Sequence, residues 1–183
     1  QKVVLSHAID LHASSPYHLT GTLHNLRRLY PDCYTFAVGN GRGQQFIGAS
    51  PERLLQIRNR QLLADALAGS APRGTTTTAD AHLANRLLCN PKELHEHRVV
   101  LHFIQEHLQD LGLTLHPVPP MRLLQLSNIQ HLWTPVQATV PEGVHPLQIL
   151  DRLHPAPAVA GVPRSLACDA IRQWEPFDRQ LYA

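Results

Sequence analysis

Three acids and bases in this chain stand in surroundings that could turn them to chemistry: Lys2, Glu52 and Glu96. Glu52 follows the small-residue knot Gly48-Ala49-Ser50-Pro51, where a missing side chain admits another molecule and a proline fixes φ. A single glutamate leaving such a knot between two apolar runs is a candidate acid in a cleft; the plain alternative is a solvated acid after a turn. Lys2 heads the β-branched run Val3-Val4-Leu5, either as a base or as the charge that solubilises a strand edge. Glu96 lies in His95-Glu96-His97, which invites a metal reading. Adjacent helical residues point about 100° apart, so these three cannot chelate one ion. The metalloprotease pattern H-E-x-x-H also fails, because Val99 stands at its second histidine. One glutamate can still give a carboxylate to magnesium, which takes only one or two from protein; the alternative is again a solvated acid. Leu67-Ala68-Gly69-Ser70-Ala71-Pro72 is small and turn-rich, a loop able to offer backbone N–H groups to a ligand carboxylate or simply to turn.

The elements that must position these residues follow from periodicity. Pro16 opens a helical pattern with Leu19, Leu23 and Leu26 on one face, and Tyr34, Phe36 and Val38 alternate as a strand. Gly39-Asn40-Gly41-Arg42-Gly43 does not have the dinucleotide-binding spacing and precedes a strand, so it reads as a hairpin turn. Strands over 53–57 and 61–67 complete an expected antiparallel meander of four. Asp80 is the expected N-cap of a helix through Leu83, Leu87 and Leu88. A longer helix from Lys92 to Leu111 has the stripe His97, Val100, Leu101, Ile104, Leu108 and Leu111. Strands are expected over 113–118 and 122–126, and at His131–Val136, where Pro135 suggests an edge or a bend. A short helix from Pro146, a proline-stiffened loop over 154–164 and a helix opening at Pro163 close the chain.

The 183 residues suffice for one domain with a real core, and a formal charge of +2 points to neither nucleic acid nor a membrane surface. Three cysteines without C-x-x-C spacing argue against a disulfide framework and a zinc site. No apolar run approaches the roughly 20 residues of a membrane span and no signal peptide leads the chain, so a reducing cytoplasm and a monomer are the default expectations. Strand character at Lys2–Leu5 and the lack of a polar tail suggest a piece of a longer protein.

In register along the whole chain, eight stretches resemble the chorismate-utilising enzymes, and among them the isochorismate synthases of menaquinone and siderophore pathways. They are Lys2-Val3-Val4-Leu5-Ser6, Gly48-Ala49-Ser50-Pro51-Glu52, Leu67-Ala68-Gly69-Ser70, Asn85-Arg86-Leu87-Leu88, His95-Glu96-His97, Leu132-Trp133-Thr134-Pro135, Leu153-His154-Pro155-x-Pro157-Ala158-Val159 and Glu175-Pro176-Phe177-Asp178-Arg179. The resemblance implies an α+β fold of two large antiparallel sheets packed together with helices outside, in one domain over 1–183 that lacks N- and C-terminal parts. It implies magnesium-dependent conversion of chorismate, with Lys2 as the base that activates water and Glu52 as the acid for the departing hydroxyl. Glu96 would hold Mg2+, while Gly69, Ser70, His131 and Ala158 would contact substrate. Both Lys2 and Glu52 would then need burial to favour their neutral forms.

Within the family, anthranilate synthases commonly have glutamine at the Lys2 position, and aminodeoxychorismate synthases have a nucleophilic lysine at Ala68. Lys2 with Ala68 resembles the water-using branch; salicylate synthases share Lys2, but the Pro157-Ala158-Val159 wording is closer to isochorismate synthases. His7 and His82 depart from the family's usual arginine and acid. Family members also continue past the Ala183 position with a further magnesium glutamate, an arginine and a lysine. A remnant that binds a ligand or partner without turnover is the rival expectation.

Overall fold

The computed structural model describes residues 2–182; Gln1 and Ala183, the ends of the expected domain, lie outside the described residues. The chain forms two compact units, Gln1–Leu5 with Arg53–Pro176, and Ser6–Glu52 with Phe177–Ala183.

The first unit is built on a five-stranded antiparallel sheet of β4 (Gln56–Arg58), β5 (Gln61–Pro72), β6 (Thr114–Leu115), β7 (Arg122–Gln125) and β8 (Ile129–Thr139). The order is β4-β5-β8-β6, with β7 also paired to β8. The 20-residue helix α3 (Pro91–Asp110) packs on β5 and β8. Its buried stripe is His97, Val100, Phe103, Ile104 and Leu108, close to the sequence expectation. It faces Leu62, Ala64, Ala66, Val136 and Ala138 in one apolar cluster, and the three alanines keep the central strands low enough for a helix to lie close. Leu108 is fully buried; truncating it to alanine costs about 2–5 kcal/mol by the usual cavity penalty. Asn90 caps α3, accepting from the Lys92 and Glu93 N–H groups, and Pro91 occupies the first turn where no donor is missed. Helices α2 (Thr77–Cys89), α4 (Pro146–Leu153) and α5 (Arg164–Trp174) complete the unit, with the two-stranded sheet of β1 (Lys2–Val3) and β9 (Gly161–Val162). In the second unit, α1 (Leu19–Leu29) packs on the hairpin of β2 (Tyr34–Gly39) and β3 (Gln45–Ser50).

Several elements differ from expectation for local physical reasons. The four early strands are not one meander: among the described residues β2 and β3 pair only with each other, whereas β5 pairs β4 and β8. The Gly-Ser-Pro stretch is not a loop. β5 runs through it to Pro72, with a register shift between Ala68 and Ser70 that Gly69 absorbs at φ +80°. Pro135 lies inside a central strand rather than at an edge. The β7 pairing ends at Trp133 and the β6 pairing begins at Ala138, so its missing N–H falls where one flank of β8 is open. Thr76 rather than Asp80 caps α2, and α1 begins at Leu19, with the His18 ring accepting from Gly21 N–H. The hairpin turn holds, with Gly41 and Gly43 at positive φ.

Candidate active site

Lys2 is placed by strand pairing. β1 runs antiparallel to β9 with Lys2 opposite Val162 and Val3 opposite Gly161, and the Val4 N–H donates to the Ala160 carbonyl at 2.8 Å. Gly161, at φ +138°, lies so near the Lys2 carbonyl that any side chain there would collide with backbone. From this strand the Lys2 ammonium reaches Glu96 Oε2 on α3 at 3.4 Å; the two side chains are 19% and 25% exposed.

Glu96 has a second cation on its other oxygen. Lys92 Nζ stands 3.6 Å from Glu96 Oε1 and 3.4 Å from Glu93 Oε1, so one ammonium touches carboxylates one helical turn apart. Glu93, then Glu96, hold the Lys92 ammonium above its ordinary range. Glu93 in turn packs against Gly69: a Cβ built there would sit 3.2 Å from both Glu93 Cβ and Oε2 and 3.1 Å from Leu132 Cδ1. The bulge glycine therefore serves two needs, a left-handed φ and the approach of an acid. Beyond it Ser70 pairs across the ladder with His131, and Ser70 Oγ and His131 Nδ1 share a 2.8 Å hydrogen bond. Burial lowers the His131 ring below its ordinary value, against an opposing pull from the Gly69 backbone.

Under this surface His97 is 2% exposed and bonds Thr134 Oγ1 through Nε2 at 2.9 Å. Its Nδ1 makes no hydrogen bond of ordinary geometry. Burial lowers this imidazole, with the Ala68 and Leu132 backbone acting the other way. The side chain after Glu96 thus ties α3 to β8 inside the core, which leaves Glu96 itself turned toward Lys2.

The structure therefore links Lys2, Glu96, Gly69, Ser70 and His131 in one run of contacts through Lys92 and Glu93. Ala158 stands in the turn that leads into β9, where Ala160 N–H donates to the Ala156 carbonyl, and it packs against the apolar cluster. Glu52 belongs to the second unit, at the end of β3, where its N–H donates to Ser50 Oγ at 3.2 Å. Sequence reasoning passed over Glu93 and Lys92. Their signal was present: Glu93 is i−3 and Lys92 i−4 to Glu96, hence on one face of the expected helix.

A divalent cation can be tested against these donors. The Lys92 ammonium is a stand-in cation that both Glu93 and Glu96 already reach, which fits a hard ion taking one or two protein carboxylates. Among the described residues there is no group of three or more His, Cys, Asp or Glu that could hold a metal ion. No helix among the described residues is long and apolar enough to cross a membrane.

A family model described as chorismate binding enzyme matches residues 1–183. The salicylate biosynthesis isochorismate synthase of Pseudomonas aeruginosa is 41% identical over 161 residues, which is 88% of this chain and 34% of that protein. The isochorismate synthase EntC of Escherichia coli is 34% identical over 181 residues, or 99% of this chain and 46% of that protein. Among solved structures, the menaquinone-specific isochorismate synthase MenF of Escherichia coli superposes with a TM-score of 0.79 at 31% identity, covering 91% of this chain and 38% of that one. The chain thus spans less than half the length of these relatives.

Proposed function

The chain belongs to the chorismate-binding enzyme family, and from that premise we propose that it carries the base and the acid of an isochorismate synthase site. In the reaction water adds at C2 of chorismate, the ring double bonds shift, and the C4 hydroxyl leaves as water. One proton is taken from the attacking water and one is given to the departing hydroxyl, so the step balances with a base and an acid on opposite faces.

Lys2 takes the proton from water, and to do so its amine has to leave the ion pair with Glu96. By resemblance to the family, Glu52 would give the proton to the C4 oxygen. Gly69, whose bulge packs against Glu93 and Leu132, would offer backbone N–H to the ring carboxylate. Ser70 and His131, bonded to each other, line the ring, with Ala158 as an apolar contact. Glu96, with Glu93 a turn away, would hold Mg2+. When bound, that ion supplies positive charge against the substrate carboxylate.

The observation that carries this reading is the Lys2–Glu96 pair, which joins the proposed base to the proposed metal ligand. The test is proton NMR of chorismate incubated with the protein and Mg2+: isochorismate resonances are the expected result, and chorismate that neither binds nor changes sinks the proposal. A second reading is favoured by the Lys2–Glu96 ion pair itself, which engages the amine before any substrate arrives. On that reading the chain binds chorismate without turnover, and NMR line broadening without new resonances would support it.

A further inference from the structure

Lys92 is out of place by the usual rules of a helix start. Helix N-termini are positive, so the first turn of α3 favours acids such as Glu93 and disfavours a lysine. Its side chain is 75% exposed, yet its ammonium folds back over both the Glu93 and Glu96 carboxylates rather than extending into water. Lys2 already pairs with the opposite oxygen of Glu96 and is largely enclosed. Two acids are therefore matched by two ammoniums, one fixed on a strand and one on a flexible four-carbon stem. The ammonium on that stem lies within 3.6 Å of both carboxylates, the two acids that would hold a divalent cation.

Resting on the reading that Glu96 is a metal ligand, we propose that Lys92 is a tethered counter-ion that competes with the divalent cation for Glu93 and Glu96. It keeps the two acids neutralised and close together while the metal is away. The cation enters when Lys92 swings out, and the lysine then stands as a like charge at the rim. The competition raises the metal concentration needed to fill the site.

The experiment is a direct titration of the whole chain with Mn2+, free ion being read by electron paramagnetic resonance, with Mg2+ as competitor. Lys92→Met keeps the stem and removes the charge. It should bind Mn2+ about threefold to tenfold more tightly, the size expected for screened repulsion between a single and a double charge near a surface. Lys92→Arg keeps the charge and should bind like the parent. Unchanged or weaker binding by Lys92→Met, with Glu96→Gln abolishing binding, overturns the role of Lys92 and leaves the metal reading standing. Glu96→Gln that binds like the parent, or no Mn2+ binding by parent and Lys92→Met alike, overturns both. Thermal melts followed by circular dichroism check that the exposed substitution leaves the fold intact.

Discussion

Lys2 Nζ and Glu96 Oε2 face each other at 3.4 Å, from strand β1 and helix α3, ninety-four positions apart in the chain. An acid on an amphipathic helix and a lysine at a strand head each have an ordinary explanation as solvated charges. Their pairing, with both side chains three-quarters or more enclosed, removes that explanation for the two together. The resemblance led to the expectation that burial favours a neutral lysine. Its neighbour in the structure is the Glu96 carboxylate, so the amine is engaged before any substrate arrives.

Glu96→Gln should abolish or strongly weaken divalent-cation binding while leaving the fold in place. The pair it breaks is partly exposed, so the loss of stability should stay within about 1 kcal/mol. A Mg2+ titration unchanged from the parent would remove Glu96 from the site.

Gly161→Ala should act on Lys2 through the backbone. The added methyl meets the Lys2 carbonyl, and φ +138° is a conformation that alanine rarely adopts. Separation of β1 from β9 is expected, with a loss of about 1–3 kcal/mol in urea unfolding. Parent-like stability would mean that the β1–β9 pairing does not depend on that glycine.

Thr134→Val keeps the volume of the core but leaves His97 Nε2 buried without a partner, for an expected loss of about 1–3 kcal/mol. The His97 ring has a lowered folded value, so the unfolded chain binds the proton more readily. Stability should therefore fall as pH drops below the ordinary value of 6.5, and it should be fully present above it. A flat stability profile from pH 7.5 to pH 5 would contradict this.

The fold was legible in the sequence where a local pattern suffices. The α3 stripe ending at Leu108 and the β2–β3 turn at Gly41 and Gly43 depend on residues close in sequence. Pairing between distant strands was not legible, because nothing local to Lys2 names Gly161 as its partner. The run from Gly69 to Pro72 has loop composition, yet Ser70 and Ala71 find ladder partners in His131 and Gln130, and tertiary pairing overrides composition. Pro135 misled in the same way, since the gap between β7 and β6 on its flank is a property of the sheet. For the site, periodicity could have grouped Lys92, Glu93 and Glu96. No spacing could show that Lys2 completes them.

Asp80 gives an acid-side prediction independent of the site. Arg73 bonds it through Nε and the second guanidinium nitrogen, and the Gly74 N–H adds a third bond, which together lower its carboxyl to about 2. A depressed folded value means stability present above the unfolded value near 3.8 and lost as pH falls toward 2. The clamp joins the end of β5 to α2, and Arg73 also bonds the Leu126 carbonyl. Asp80→Asn should remove that part of the acid transition in a pH melt; an identical transition would show that the clamp does not contribute.

The most direct measurement compares the parent and Lys2→Ala with chorismate and Mg2+, following isochorismate and binding together by proton NMR. The account predicts that the parent forms isochorismate, whereas Lys2→Ala still broadens the chorismate resonances but forms none. Near-parental turnover by Lys2→Ala, or a parent that neither binds nor converts chorismate, would contradict it.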